Sequence, residues 1–152
     1  MPDTGLEPTL VDLQPQPCVV LRERVPMGEM TSFFSRAFHL TGAAAGPHIG
    51  GPPLGIYFGM PSDTVDLAAG FPVHSAVEPS GEVVAYTLPG GRAAQYTHLG
   101  SYDSLAQSYD RLMTWMRERD LTPADVMWES YLNEPQPDHP ESARTLITWP
   151  VA

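Results

Sequence analysis

Glu129 is the residue around which chemistry can be built. It stands in Asp125–Pro135, the run Asp-Val-Met-Trp-Glu-Ser-Tyr-Leu-Asn-Glu-Pro. β-Branched, aromatic and large apolar residues fill this run and Pro135 closes it, which predicts a strand. Side chains alternate along a strand, so Met127, Glu129 and Tyr131 share one face while Trp128, Ser130 and Leu132 take the other. Same-face neighbours lie about 7 Å apart, so that face offers a thioether, a carboxylate and a phenol as one patch. A buried carboxylate is costly unless it is paired. Either Glu129 meets water or an arginine of this chain, or it waits in an aromatic pocket for a cationic or polarised ligand. In an apolar pocket desolvation raises its pKa, and a bound cation lowers it again. A desolvated carboxylate is also what a general base needs to activate water. Glu129 therefore supports a binder and a hydrolase alike, with Tyr131 as the candidate proton donor in the second case.

Other chemistries find little support. His39, His48, His74, His98 and His139 are scattered, and no two have the i, i+4 helical spacing of a zinc site. His98 alone on a strand reads first as structural. The single cysteine, Cys18, excludes an internal disulfide and a cysteine-rich metal site, and nothing around it suggests a low pKa. There is no Gly-x-Ser-x-Gly elbow. The stretch Gly46–Gly55 lacks the Lys-Ser/Thr of a phosphate loop and reads as a flexible rim long enough to act as a lid. Neither a metal nor a cofactor is expected.

The chain has 152 residues, enough for one domain with a real core, and 42% are hydrophobic. Its formal charge is −10, with only eight Lys plus Arg, which argues against direct nucleic-acid binding and against docking on anionic lipid. No apolar run approaches the roughly 20 residues of a membrane span. Residues 1–16 have neither the basic region nor the apolar core of a signal peptide, so the cytoplasm is the expected compartment. Seventeen prolines cluster between elements and punctuate loops.

Residues 1–16 are polar and proline-rich and read as a loose arm before a domain over 17–152. Cys18–Val25 alternates as a strand. Met30, Phe33, Phe34, Ala37 and Phe38 recur at one helical face, and Gly42 ends that helix or nearly so. Leu54–Met60 and Thr64–His74 are strands, the latter open to interruption at Gly70 and Pro72. Glu82–Leu88 and Arg92–Leu99 follow. Ser101 is placed to cap a second helix, with Asp103 near its start and Leu105, Tyr109, Leu112, Met113 and Met116 as its apolar stripe. Arg117 and Arg119 fall in its last turn, as the helix dipole prefers. The Glu129 strand, a loop over 136–142 and a strand over Ala143–Val151 complete the chain. The order of elements repeats. The expected fold is α+β: two strand–helix–strand–strand units, related by a pseudo-two-fold, form one antiparallel sheet with two helices on one face. Pockets tend to lie where such halves meet.

Several stretches carry a resemblance. Gly51-Pro52-Pro53-Leu54-Gly55-Ile56-Tyr57 resembles a "G-P-P…Y" strand entry. Asp66–Val73 resembles a "D…G-x-P-V" strand, and Leu88–Ala94 an "L-P-x-G-x-x-A" turn. His98–Leu105 resembles an "H-x-G-x-Y-x-x-L" helix entry, and Trp128–Tyr131 a "[WY]-E-x-Y" strand. In this order, from about Cys18 to the C-terminus, they resemble the GyrI-like, gyrase-inhibitor-type small-molecule-binding domain. That domain also forms the effector-binding half of multidrug-responsive transcription regulators. The resemblance implies the same two-unit fold. It implies that Glu129 is the polar centre of a ligand cavity for flat, lipophilic, often cationic compounds. Tyr131 and Met127 would line the cavity, with either Tyr57 or Phe58 from the neighbouring unit, and Met30 and Phe33 by a weaker correspondence. The residues before Cys18 are too few and too acidic for a helix-turn-helix, so a stand-alone member is expected. Such a member would bind or sequester drugs, or sense a ligand for a protein partner. Some stand-alone members are hydrolases that open cyclopropane rings, which gives the enzymatic alternative. A protein-interaction module, such as a gyrase binder, is the third reading.

Overall fold

The computed structural model describes residues 7–59, 62–75, 81–100, 105–132 and 143–151. Its strands are β1 (Thr9–Leu13), β2 (Gln16–Pro26), β3 (Leu54–Phe58), β4 (Thr64–Pro72), β5 (Val84–Leu88), β6 (Gly91–Leu99), β7 (Val126–Tyr131) and β8 (Arg144–Pro150). Its helices are α1 (Met30–Ala45) and α2 (Leu105–Glu118). One antiparallel sheet runs in the order β1-β6-β8-β7-β3-β4-β2-β5. The units β2-α1-β3-β4 and β6-α2-β7-β8 meet where β3 pairs with β7, at the middle of the sheet.

Alternation along each strand sorts the core into two layers. Cys18, Val20, Leu54, Ile56, Ala68, Leu88 and Trp128 fill the inner face of the curled sheet. On the other face, Leu21, Val25, Val65, Leu67 and Ala69 pack under Phe33 and Ala37 of α1. Ala94, Tyr96, Met127 and Ile147 pack under Leu112 and Met116 of α2. Both helices thus cover one face, and α1 lies over β2 and β4 while α2 lies over β6. The strip of β3 and β7 between them carries Glu129.

Several expectations need correction. The arm over residues 1–16 is not loose throughout, because Thr9–Leu13 is a strand paired with β6. Its Thr-Leu-Val-Asp-Leu sequence suits a half-covered edge, with Val11 and Leu13 turned partly inward. Helix α1 does not stop at Gly42. Phe71 packs over that glycine, the good helix formers Ala43–Ala45 extend the helix, and the Gly46 N–H closes it on the Gly42 carbonyl. The segment after it is no free lid. Gly46–His48 forms a 3-10 turn, Ile49 bridges Val73, and Gly50 N–H donates to Pro72 O at 2.8 Å. Gly70 and Pro72 stay inside an unbroken β4. Met113 is 38% exposed and lies off the buried stripe of α2. Arg119 lies just past the last residue of α2. Ser101, Asp103, Met60, the turn residues Pro79 and Ser80, and the 136–142 loop lie outside the described residues.

The two ends of the sheet are joined. Only Gln14-Pro15 separates β1 from β2, and only Pro89-Gly90 separates β5 from β6, although each pair is split across the strand order. The sheet must therefore curl until its ends approach. The pairing shows this directly, because Thr9↔Gln95 to Leu13↔Gly91 continues in the same register as Gln16↔Leu88 to Val20↔Val84. At the bend Gly90 lies against Pro15 and the Leu13 carbonyl, where an added Cβ would come within 2.9 Å of the carbonyl oxygen. Removing residues 1–13 strips β6 of this partner. The truncated chain is expected to melt several degrees lower; an unchanged melting curve would show that β1 contributes nothing.

Candidate functional site

β7 is a central strand, flanked by β3 and β8, and Met127, Trp128 and Glu129 are buried on its two faces. Trp128 points to the inner layer, and Met127, Glu129 and Tyr131 point to the helix side. Glu129 is only 3% exposed. Three phenols from three elements converge on it. Tyr131, two residues along β7, donates to Oε1 at 2.8 Å, and Tyr57 of β3 approaches the same oxygen at 3.4 Å. Tyr109 of α2 donates to Oε2 and also reaches Met127 Sδ at 3.6 Å.

Opposite Glu129 in the ladder stands Gly55. A Cβ there would come within 2.9 Å of both the Phe34 ring and the Tyr131 hydroxyl. The missing side chain is what lets Tyr131 lie across β3 and meet the carboxylate. Gly55→Ala is therefore expected to displace Tyr131 or Phe34 and to lower both stability and ligand affinity. Thermal denaturation and a binding titration on the same variant check this.

The carboxylate sits in a contest of effects. Burial raises its pKa above the ordinary value, while hydrogen bonds from Tyr109, Tyr131 and Tyr57, and the nearby His98, pull it back down. The net direction is upward. The phenols respond to the same surroundings: burial and the adjacent carboxylate push Tyr57, Tyr109 and Tyr131 well above the usual phenol range, so all three stay protonated donors. Among the described residues the ion pairs are Arg22–Asp66, Arg36 with Glu23 and Glu82, and Arg119–Glu118. None of them reaches Glu129. Among the described residues no arginine pairs with Glu129.

Aromatic rings wall the site on both sides. Tyr131 meets Phe34 edge-on at 6.1 Å and Phe38 at 6.3 Å between centroids, and Phe38 continues to Phe71. Tyr109 meets Trp149 at 6.3 Å on the α2 side. Of the residues expected at the site, Glu129, Tyr131, Met127 and Tyr57 come together. Phe58 does not: it faces the inner layer, with the Arg22 guanidinium 3.7 Å from its ring centroid and Tyr86 edge-on. Phe33 is buried between α1 and the sheet, and Met30 packs against the same cluster, which Tyr57, Phe34 and Phe38 also join. Phe34 and Phe38 supply the α1 rings that meet Tyr131. Tyr109 and Trp149 were not expected. Cys18 is inert, as its burial pushes the thiol up to about 12. Among the described residues no group of His, Cys, Asp and Glu is arranged to hold a metal, and no helix is long and apolar enough to cross a membrane.

The fold and the site define a class: an α+β domain made of a duplicated unit, with a buried acidic centre where its halves meet. A model of the GyrI-like small molecule binding domain matches residues 6–152. The chain belongs to that family of small-molecule-binding domains. No curated protein matches the sequence. Among solved structures, the C-terminal domain of EcmrR is similar with a TM-score of 0.78 and 19% identity, covering 97% of this chain and 98% of that one. SAV2435 bound to tetraphenylphosphonium superposes with a TM-score of 0.67 at 15% identity, covering 96% and 94%. A hydrolase from Listeria innocua has a TM-score of 0.67 at 14% identity, covering 96% and 92%. At these identities the likeness is one of fold.

Proposed function

We propose that the protein binds lipophilic, cationic aromatic small molecules between α1 and α2, with Glu129 as the counter-charge. One observation carries the reading: a nearly fully buried carboxylate is held by three phenols and by no described arginine or lysine, with only the imidazole of His98 near it among the described basic groups. Such a group can serve as the counter-charge of a bound organic cation. Rings of Phe34, Phe38, Tyr57, Tyr109, Tyr131 and Trp149 supply the faces over which a flat or tetrahedral organic cation gains cation–π and dispersion energy. The tetraphenylphosphonium held by SAV2435 is a ligand of this chemistry. The protein would act in the cytoplasm as a drug sequesterer, or as a ligand sensor for a protein partner.

Tetraphenylphosphonium, titrated while tryptophan fluorescence is followed, should saturate at micromolar concentration. The neutral triphenylphosphine oxide should bind much more weakly. Equal affinities would remove the charge from the argument.

The hydrolase alternative uses Glu129 as base and Tyr131 as acid. It draws support from the hydrolase of Listeria innocua and from the short Tyr131–Glu129 contact. The same contact weakens it, because it commits the Tyr131 proton to the carboxylate. Incubation with a reactive cyclopropane compound decides: product formation with turnover makes the protein an enzyme, and saturable binding without product makes it a receptor.

A further inference from the structure

Thr145 of β8 is fully buried, and among the described residues its hydroxyl has no hydrogen-bond partner. It lies on the helix side of the sheet, in line with Ile147 of the α2 layer and opposite in phase to Thr148, which bonds Gln95 on the other face. A valine would fill the same volume. A buried hydroxyl left unpaired is destabilising, so its retention at the centre of a sheet calls for a partner.

The surroundings are polar. Thr145 pairs with His98 on one side and with Tyr131 on the other. His98 is 4% exposed, and its Nδ1 is 2.6 Å from Ser108 Oγ of α2, itself buried. Glu129 pairs with Ile147, two residues along β8, and so stands diagonally from Thr145. Diagonal neighbours in a sheet have Cα atoms about 7–8 Å apart, a span that long side chains close directly and shorter ones close through a water. Glu129 has capacity for such a link. An ionised carboxylate offers about four acceptor positions, and the three phenols use three of them, with only Tyr109 on Oε2.

We propose that the bay between Thr145, His98–Ser108 and Glu129 is a single-water site, in which the water bonds Thr145 Oγ1 and donates to Glu129 Oε2. Buried waters make about three hydrogen bonds to groups otherwise unsatisfied, and this bay offers Thr145, Ser108 and the carboxylate. The ligand site then consists of a carboxylate and a bound water rather than a sealed carboxylate. The water sits on the α2 side, away from the Phe34–Phe38 wall. The inference rests on the preceding reading only in treating Glu129 as the acidic centre.

Thr145→Val and Thr145→Ser, made singly and with Glu129→Gln, test it by thermal denaturation beside a crystal structure that resolves ordered water. The structure should show a water within hydrogen-bond distance of Thr145 Oγ1. Thr145→Val should melt several degrees lower, and Thr145→Ser should recover most of the loss. The penalty of Thr145→Val should shrink in the Glu129→Gln background, because the two residues share one water. A dry bay, or a Thr145→Val variant that melts higher than the parent, overturns the proposal. Additive effects of the two substitutions overturn the link to Glu129. Failure of tetraphenylphosphonium to bind the parent protein, with the water present and coupled, removes the cation-binding reading and leaves this one standing.

Discussion

Glu129→Gln is expected to weaken tetraphenylphosphonium binding by roughly tenfold or more, since a charged, partly buried contact is worth about 1.5–3 kcal/mol. Its melting temperature is expected to stay level or rise. Glutamine keeps the shape of the side chain: its Oε1 can still accept from Tyr131 and Tyr57 and its amide N–H can donate to the Tyr109 oxygen, while the desolvated charge is gone. Had Glu129 been half of a buried ion pair, its loss would strand a cation and cost about 3–5 kcal/mol. The described ion pairs contain no such cation. A lowered melt with unchanged binding would reduce Glu129 to a structural residue. The pH profile adds a second reading of the same variant. Burial raises the Glu129 carboxyl above its ordinary 4.5, so the folded protein holds this proton more tightly than the unfolded chain. The associated stability is complete below 4.5 and is lost as pH rises through the folded value. The Glu129→Gln variant should lack that descent. Asp66 works in the opposite sense: its bond to Arg22 lowers its pKa, so its small contribution is lost as pH falls.

Leu112→Ala is expected to destabilise the protein by roughly 2–5 kcal/mol, with the midpoint of urea unfolding shifted down and its slope retained. Leu112 is fully buried at the centre of the layer under α2, among Ala94, Tyr96, Met116, Met127 and Ile147. Apart from Met116 of α2 itself, those residues are anchored to β6, β7 and β8 and cannot collapse into the vacated volume. Met113, one residue on, is the control. It is 38% exposed, and Met113→Ala should stay within about 0.5 kcal/mol of the parent. Equal effects at the two positions would mean that α2 is rotated about its axis.

The parts of the site legible in the sequence were those set by strand alternation. Period two places Met127, Glu129 and Tyr131 on one face, and the structure keeps them there. The same rule predicts that Tyr57 and Phe58 face opposite ways without saying which is inside; the β3–β7 pairing decides it. Helical positions were less legible. Met30, Phe33, Phe34, Ala37 and Phe38 form one broad stripe, and whether Phe33 or Phe34 meets Tyr131 depends on a rotation of α1 that periodicity does not fix. Tyr109 passed as an apolar residue because tyrosine suits a core face as well as a donor's role, and only the approach of α2 to β7 separates the two. Strand β1 was missed because Pro15 and Pro17 suggest irregular chain. Its partner β6 lies in the other half of the sequence, so no local signal reports the pairing.

The continuous register of residues 9–20 against 84–95 bears on how the molecule assembles. β1 completes the half that contains β6, and β5 completes the half that contains β2. Each half lends its first strand to the other, so neither finishes its own sheet. Folding is then all-or-none across the pseudo-two-fold, and closure waits on contacts distant in sequence, which slows it relative to a helical protein of this size. Two peptides divided between β4 and β5 would each carry an open edge and an unmet strand. Mixed, they should restore one ladder and recombine into a molecule that binds tetraphenylphosphonium; apart, each should remain unfolded or associate with copies of itself through the same exchange.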